Sequence, residues 1–234
     1  FKFHLLFYKI LIFLPNFIKN TKMIHDLSKN NSIIGNFMSE LRDVKIQKDA
    51  MRFRRNLERL AEVIGYEISK SLAYKKVTIE TPLGEADVNV LGETPVLATI
   101  LRAGLSMHQG LLNYFDNADC AFISAYRKHT SAEEFAIEVE YLASPDISNK
   151  TVILCDPMLA TGASMVAVYK ALLKQGKPSK LYIVSAVASK EAVEYVRQHL
   201  PANTEIWVGA IDSELTAHSY IVPGIGDAGD LAFG

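Results

Sequence analysis

The chain of 234 residues has little cysteine, one tryptophan and no surplus of positive charge. Its 25 Lys+Arg stand against 26 Asp+Glu, a formal net charge of -1. Two cysteines, Cys120 and Cys155, cannot form a disulfide framework and make no CxxC pair. The near-neutral balance excludes a nucleic-acid binder that works through a strong overall positive field. No stretch has the roughly 20 uninterrupted apolar residues of a spanning helix. There is no internal repeat and no low-complexity tract. No His/Cys cluster has metal-ligand spacing; His108, His129, His199 and His218 are scattered and read as surface or loop residues. What the chain does have is 49% hydrophobic and 22% charged residues, enough to bury a core, so global disorder is excluded. The length suits one large domain, or a domain with an appendage.

The appendage is residues 1–22, FKFHLLFYKILIFLPNFIKNTK, which hold six aromatics, four lysines and no acid. The run Leu5–Leu14 has the length of a signal-peptide core, but Lys9 interrupts it and no A-x-A-like site follows. A membrane-surface anchor is a second reading. We adopt a third, a non-native segment translated from AT-rich DNA upstream of Met23. Without it, 21 Lys+Arg face 26 acids and the net charge is -5. Residues 23–47 then read as an N-terminal arm and 48–234 as the functional domain.

Within that domain, Lys48–Ala73 carries Met51, Leu57, Leu60, Ala61, Ile64, Ile68 and Leu72 at helical spacing and predicts a long amphipathic helix. Val77–Thr81 and Glu85–Leu91 read as a hairpin about Pro82-Leu83-Gly84. Nearly continuous apolar runs follow at Val96–Leu101, Cys120–Ala125, Val152–Cys155, Leu181–Val187 and Ile206–Ala210. Helical segments Leu105–Tyr114, Ser164–Gln175 and Lys190–Leu200 lie between most of them. Strands apolar on both faces, alternating with helices, imply a parallel sheet covered on both sides. The segment Arg127–Ser148 interrupts the alternation, with a strand-like stretch at Phe135–Leu142, and reads as an inserted flap.

Ligands of such sheets bind beyond the carboxyl ends of the strands. There Thr151–Ser164 reads TVILCDPMLATGAS: an apolar strand, an acid, a small-residue loop and a helix start. Ala160-Thr161-Gly162-Ala163 lets the backbone approach an anion, the helix start offers free N–H groups, and Thr161 and Ser164 add hydroxyls. The loop is a phosphate cradle without the lysine of a Walker loop. Asp156 at the strand tip is placed to accept bonds from sugar hydroxyls, each worth about 1.5–3 kcal/mol. Arg102 follows an apolar strand and precedes Gly104, at a loop tip on the same side. Tyr220–Asp230 is a tight loop with Gly224, Gly226 and Gly229 around Pro223, where the backbone can approach a ligand closely.

The segment DPMLATG resembles the phosphoribosyl-pyrophosphate (PRPP) motif of type I phosphoribosyltransferases. Pro157 after the acid is similar to the uracil phosphoribosyltransferase branch. Leu101-Arg102-Ala103-Gly104-Leu105 resembles that family's pyrophosphate loop, Tyr126-Arg127 the start of its flap, and Tyr220–Asp230 its uracil-binding segment. The resemblance implies an α/β, type I phosphoribosyltransferase-like fold. Its central, mostly parallel sheet would be flanked by helices, with a flexible flap and a C-terminal base-binding segment. It implies transfer of ribosyl 5-phosphate from PRPP to N1 of uracil, giving UMP and pyrophosphate in pyrimidine salvage. The alternative is a regulator of the same fold that binds nucleotides with little catalytic activity.

By the same resemblance, Arg102, Arg127, Asp156, Pro157, Met158, Leu159, Ala160, Thr161, Gly162, Ala163, Ser164 and Asp227 bind PRPP. Tyr220, Ile221, Gly226, Asp227 and Ala228 bind uracil, and Arg102, Arg127 and Asp227 carry catalysis. Asp227 either orients substrate or takes the N1 proton as base. Magnesium is expected on the PRPP oxygens rather than in a protein-held site. The expected setting is a cytoplasmic homo-oligomer, a dimer or larger, with no nucleic acid and no membrane; GTP is an effector of some relatives, and the sequence leaves open whether it acts here. Ala163 stands where the family commonly has glycine.

Overall fold

The computed structural model describes residues 23–129 and 135–234, with the side chains of 127–129 and 135–136 outside the described set. Residues 1–22 and the centre of the flap therefore lie outside the described residues.

The segment after Met23 forms a short strand, β1 (Ile24–Asp26), and a helix, α1 (Ile34–Arg42). The predicted long helix is α2 (Ala50–Ser69), started by the Asp49 side chain, which accepts from the Arg52 N–H at 3.1 Å. Its buried stripe runs Phe53, Leu57, Leu60, Ala61, Ile64, Ile68. Met51, expected on that stripe, is exposed because it sits half a turn away from Phe53. The stripe packs against the chain's own sheet. Strands β2 (Tyr74–Thr81) and β3 (Gly84–Leu91) form the hairpin as a separate two-stranded sheet.

The main sheet contains β4 (Val96–Leu101), β5 (Cys120–His129), β6 (Phe135–Ala143), β7 (Thr151–Cys155), β8 (Met158–Leu159), β9 (Lys180–Ser189) and β10 (Glu205–Asp212), together with β1. Its order is β1-β10-β9-β7-β4-β5-β6, with β8 pairing the end of β9. All pairs are parallel except β5–β6, the flap strands, which are antiparallel. Helices α3 (Leu105–Leu112), α4 (Ala163–Leu172) and α5 (Lys190–His199) make the crossovers. Strands β11 (Glu214–Leu215) and β12 (Ile221–Val222) pair antiparallel, and α6 (Ala228–Phe233) ends the described chain.

Two cores explain the unbroken apolar runs. Along β7, Ile153 and Cys155 face α1, α2 and α3, while Val152 and Leu154 face α4 and α5. β9 divides the same way, Tyr182 and Val184 against Leu181 and Ile183. A strand buried on both faces has no polar side to show, so alternation disappears from its sequence. Cys155 is wholly buried in this core, and burial pushes its thiol up to about 12. It is a small apolar residue there, not a nucleophile.

Candidate functional site

β7 delivers Asp156 to the carboxyl edge of the sheet, and the chain then folds back along β9 instead of leaving it. The Asp156 N–H donates to Val184 O at 3.1 Å, and Pro157 O accepts from Ala186 N at 3.1 Å and Val187 N at 3.0 Å. Met158 and Leu159 continue as β8 beside Val187 and Ala188. Ser189 Oγ donates to Ala160 O at 2.6 Å and caps α5 by accepting from Ala192 N at 2.9 Å. The loop is thus pinned to the sheet before Gly162 turns it into α4.

Gly162 has φ +79, and a Cβ there would come within 3.0–3.1 Å of Val196, Ala192 and Tyr195. Only glycine fits both the left-handed turn and the packing against α5. With no side chain to cap α4, the first N–H groups of that helix are left for a ligand, apart from a long 3.4 Å bond from Ala163 N to Thr161 Oγ1.

The cradle faces the C-terminal loop across one cavity of about 220 Å³. Its lining includes Asp156, Thr161, Gly162, Ser164, Tyr220 and Asp227. Met158, Ala160 and Ile221 also line it. Asp156 is half-buried on the cavity wall, and desolvation raises its carboxyl to about 7. Near neutral pH it is poised between its two forms, and ligand groups that donate hydrogen bonds favour the carboxylate. Asp227 caps α6: its Oδ1 accepts from Gly229 N at 2.9 Å and Asp230 N at 3.1 Å.

Other sequence-predicted residues lie outside this lining. Leu159 belongs to the core, Pro157 serves the sheet through its carbonyl, and Ala163 is the first residue of α4. Gly226, with φ +77, and buried Ala228 flank Asp227 in the chain without lining the cavity. Arg102 is half exposed, with Nη2 3.1 Å from Asp230 Oδ1. Gly104 brings that loop tightly back on β4, since a Cβ there would overlap Thr99 Oγ1. The Arg127 backbone pairs with Ile137 in the flap; its side chain lies outside the described residues. Cis peptides occur at Leu101–Arg102 and Val222–Pro223, in two of the ligand-facing segments.

The sequence reading missed three lining residues, Met165, His218 and Ser219. Met165 is one helical turn beyond the cradle. His218 and Ser219 directly precede Tyr220, and Ser219 has φ +63, a conformation rare for a non-glycine residue. Their adjacency to the glycine-rich loop was the available signal. The one titratable member, His218, is exposed in a loop and also borders the cavity, whereas His108, expected at the surface or in a loop, is buried in α3 because it lies on the face of that helix turned inward.

The family model for uracil phosphoribosyltransferase matches residues 28–234. A uracil phosphoribosyltransferase of Porphyromonas gingivalis is 54% identical over 213 residues, 91% of this chain and 98% of that protein. One of Pyrococcus furiosus is 36% identical over 209 residues, 88% of each chain. A solved protein structure from Aquifex aeolicus, 30% identical, superposes with a TM-score of 0.80 over 90% of this chain and 98% of its own. The chain belongs to the uracil phosphoribosyltransferase family.

Proposed function

We propose that this protein transfers the ribosyl 5-phosphate of PRPP to N1 of uracil, releasing UMP and pyrophosphate, in pyrimidine salvage. The observation that carries the reading is the single cavity with an anion cradle at one end and the C-terminal loop at the other. Such a cavity suits one molecule bearing both a phosphate and a base.

In the reaction the bond from the anomeric carbon to pyrophosphate breaks, the bond to N1 forms, and the N1 proton is lost. Positive charge develops on the sugar and negative charge on the departing pyrophosphate. The residues must therefore orient two substrates, hold the phosphate and neutralise the leaving group. The N–H groups of Gly162–Ser164 and the Thr161 and Ser164 hydroxyls hold the 5-phosphate. Asp156 in its carboxylate form accepts from the ribose hydroxyls. Arg102 and Arg127 supply cationic forks to the pyrophosphate. Backbone groups of Ile221 and Gly226–Ala228 match the alternating donors and acceptors of uracil, with Tyr220 beside them.

Asp227 takes the orienting role, because its Oδ1 is already committed to two backbone N–H groups of α6. Asp227→Asn with a modest loss of turnover and an unchanged pH profile supports this role. Loss of the acidic limb of the profile supports base catalysis instead.

Among the described residues, no three His, Cys, Asp or Glu side chains gather to hold a metal. The two carboxylates on the cavity wall, Asp156 and Asp227, fit a magnesium ion that arrives on PRPP and keeps mainly phosphate and water ligands. Bound there, it supplies charge neutralisation at the pyrophosphate.

Among the described residues no helix is long and apolar enough to cross a membrane. A cytoplasmic setting, residues 1–22 as a non-native segment, an arm over 23–47, a homo-oligomer and a GTP effector belong to this proposal. N-terminal sequencing from the natural source, sedimentation, and rates with and without GTP test them. The activity is tested by incubation with PRPP, Mg²⁺ and each nucleobase in turn. UMP from uracil is expected, and its absence overturns the reading.

A further inference from the structure

Arg42, at the end of α1, and Asp212, at the carboxyl end of β10, lie 170 residues apart in sequence and form a forked ion pair. Nη1 meets Oδ2 and Nη2 meets Oδ1, both at 2.8 Å. The side chains are 26% and 7% exposed, so the pair is largely withdrawn from water. Its remaining bonds converge on one residue of the C-terminal loop. The Gly224 N–H donates to Asp212 Oδ2 at 2.9 Å, and Arg42 Nη1 donates to the Gly224 carbonyl at 2.9 Å. Nearby, Gln47 Nε2 donates to Leu41 O at 2.8 Å and reaches Ile225 O at 3.5 Å.

Both polar groups of Gly224 are therefore held, each by one member of the pair. The position needs holding. Gly224 has φ +61, a Cβ on it would overlap Ile221 O, and the only strand pairing in this loop is that of Ile221 and Val222 with Leu215 and Glu214. A withdrawn ion pair is a poor device for stability alone, because two apolar side chains of similar size commonly serve as well. This pair directs its charge at a loop backbone that lies between two predicted base-contact segments, Ile221 and Gly226–Ala228.

We propose that Arg42 and Asp212 are positioning residues for the nucleobase: together they clamp Gly224 and so set the backbone groups that read the base edge. The identity of that base rests on the function proposed above. The clamp also makes the arm part of the site, since Arg42 belongs to residues 23–47.

The test uses the full chain with Arg42→Met, Asp212→Asn and the double variant R42M/D212L. Steady-state KM is measured for uracil and for PRPP separately. Hydrogen exchange is followed in peptides spanning 219–227 and 160–166. Removing one partner strands the other charge, whereas the double variant removes both and is expected to retain the fold. We expect a rise of about tenfold in the KM for uracil in R42M, no further rise in R42M/D212L because the pair acts as a unit, and a KM for PRPP within about twofold of the parent. Asp212→Asn keeps an acceptor for the Gly224 N–H and is expected to raise the uracil KM by about threefold. Exchange over 219–227 should quicken about tenfold in the double variant while 160–166 is unchanged.

Parental uracil KM and parental exchange in the double variant would overturn the clamp, as would an equal rise in both KM values. The exchange measurement needs no turnover. A parent that makes no UMP therefore defeats the functional reading, while exchange still decides the clamp.

Discussion

The proposed phosphate end of the cavity is made from one short segment, Asp156–Ser164, laid directly on β9. The proposed base end is a loop whose backbone is held by Arg42 and Asp212, from opposite ends of the chain. Both contain a glycine at positive φ, but they differ in what fixes it. Gly162 is fixed by its own strand–turn–helix and by contact with α5. Gly224 is fixed by an ion pair with one partner on a distant helix. A binding site can thus join a self-contained half, which local sequence specifies, to a half that exists only once the whole chain has folded. Disturbing the first should damage phosphate binding alone, and disturbing the second should damage base binding alone.

The largest separation is expected at Gly162. Gly162→Val forces a β-branched side chain into a left-handed position and against Val196. The displaced cradle should raise the KM for PRPP about 100-fold, given what a shift of about 1 Å costs in a site of this kind. The uracil dissociation constant, measured by calorimetry in the absence of PRPP, should stay near that of the parent. Equal loss of both would erase the comparison.

Arg102→Ala comes next. Removing a cation from the leaving group should lower turnover by roughly 10²–10³. Thermal stability should hardly change, because the Arg102–Asp230 pair is half exposed and such pairs contribute about 0–1 kcal/mol. A large drop in the melting midpoint with normal turnover would make Arg102 structural.

Asp156 gives a smaller effect, read in pH. Its carboxyl is raised to about 7 in the free protein, and in the proposed function the ribose hydroxyls of PRPP donate to it and favour the carboxylate. Binding should therefore release a proton below about pH 7, and PRPP affinity should climb as pH rises from 6 toward 7 and then level off. Calorimetry in buffers of different ionisation enthalpy measures the released proton, and Asp156→Asn should abolish it. A raised folded value also means that ionisation costs the fold stability as pH rises above the usual carboxylate range. Asp156→Asn should accordingly raise the melting midpoint at pH 8 and leave it nearly unchanged at pH 4.

The smallest effect is expected from Asp230→Ala, which leaves the α6 cap on Asp227 intact and removes only the surface partner of Arg102. A stability change under about 1 kcal/mol in a denaturant melt is expected.

The same contrast explains what could be read from the sequence. β4 begins and ends where the apolar run Val96–Leu101 does, and the cradle was legible because an acid at a strand tip, small residues and a helix start are consecutive. Motif membership did not say which residues face the ligand. Leu159 points into the core and Pro157 serves β9 through its carbonyl, since a chain folding back along a strand must satisfy the sheet as well as the substrate. The glycine-rich loop was visible, but not what holds it. Arg42 lies in a polar stretch with no local signal, and a contact across 170 residues leaves no spacing to detect. Asp212 did carry a hint, an acid closing an apolar strand in the manner of Asp156.

In the proposed reaction one molecule spans both halves of the cavity, and a crystal structure of the full chain with UMP tests that most directly. The phosphate should lie within hydrogen-bond reach of the Gly162–Ser164 N–H groups, with the uracil edge against the backbone of Ile221 and Gly226–Ala228. UMP bound with its phosphate away from the cradle, or with its base away from the C-terminal loop, would contradict it.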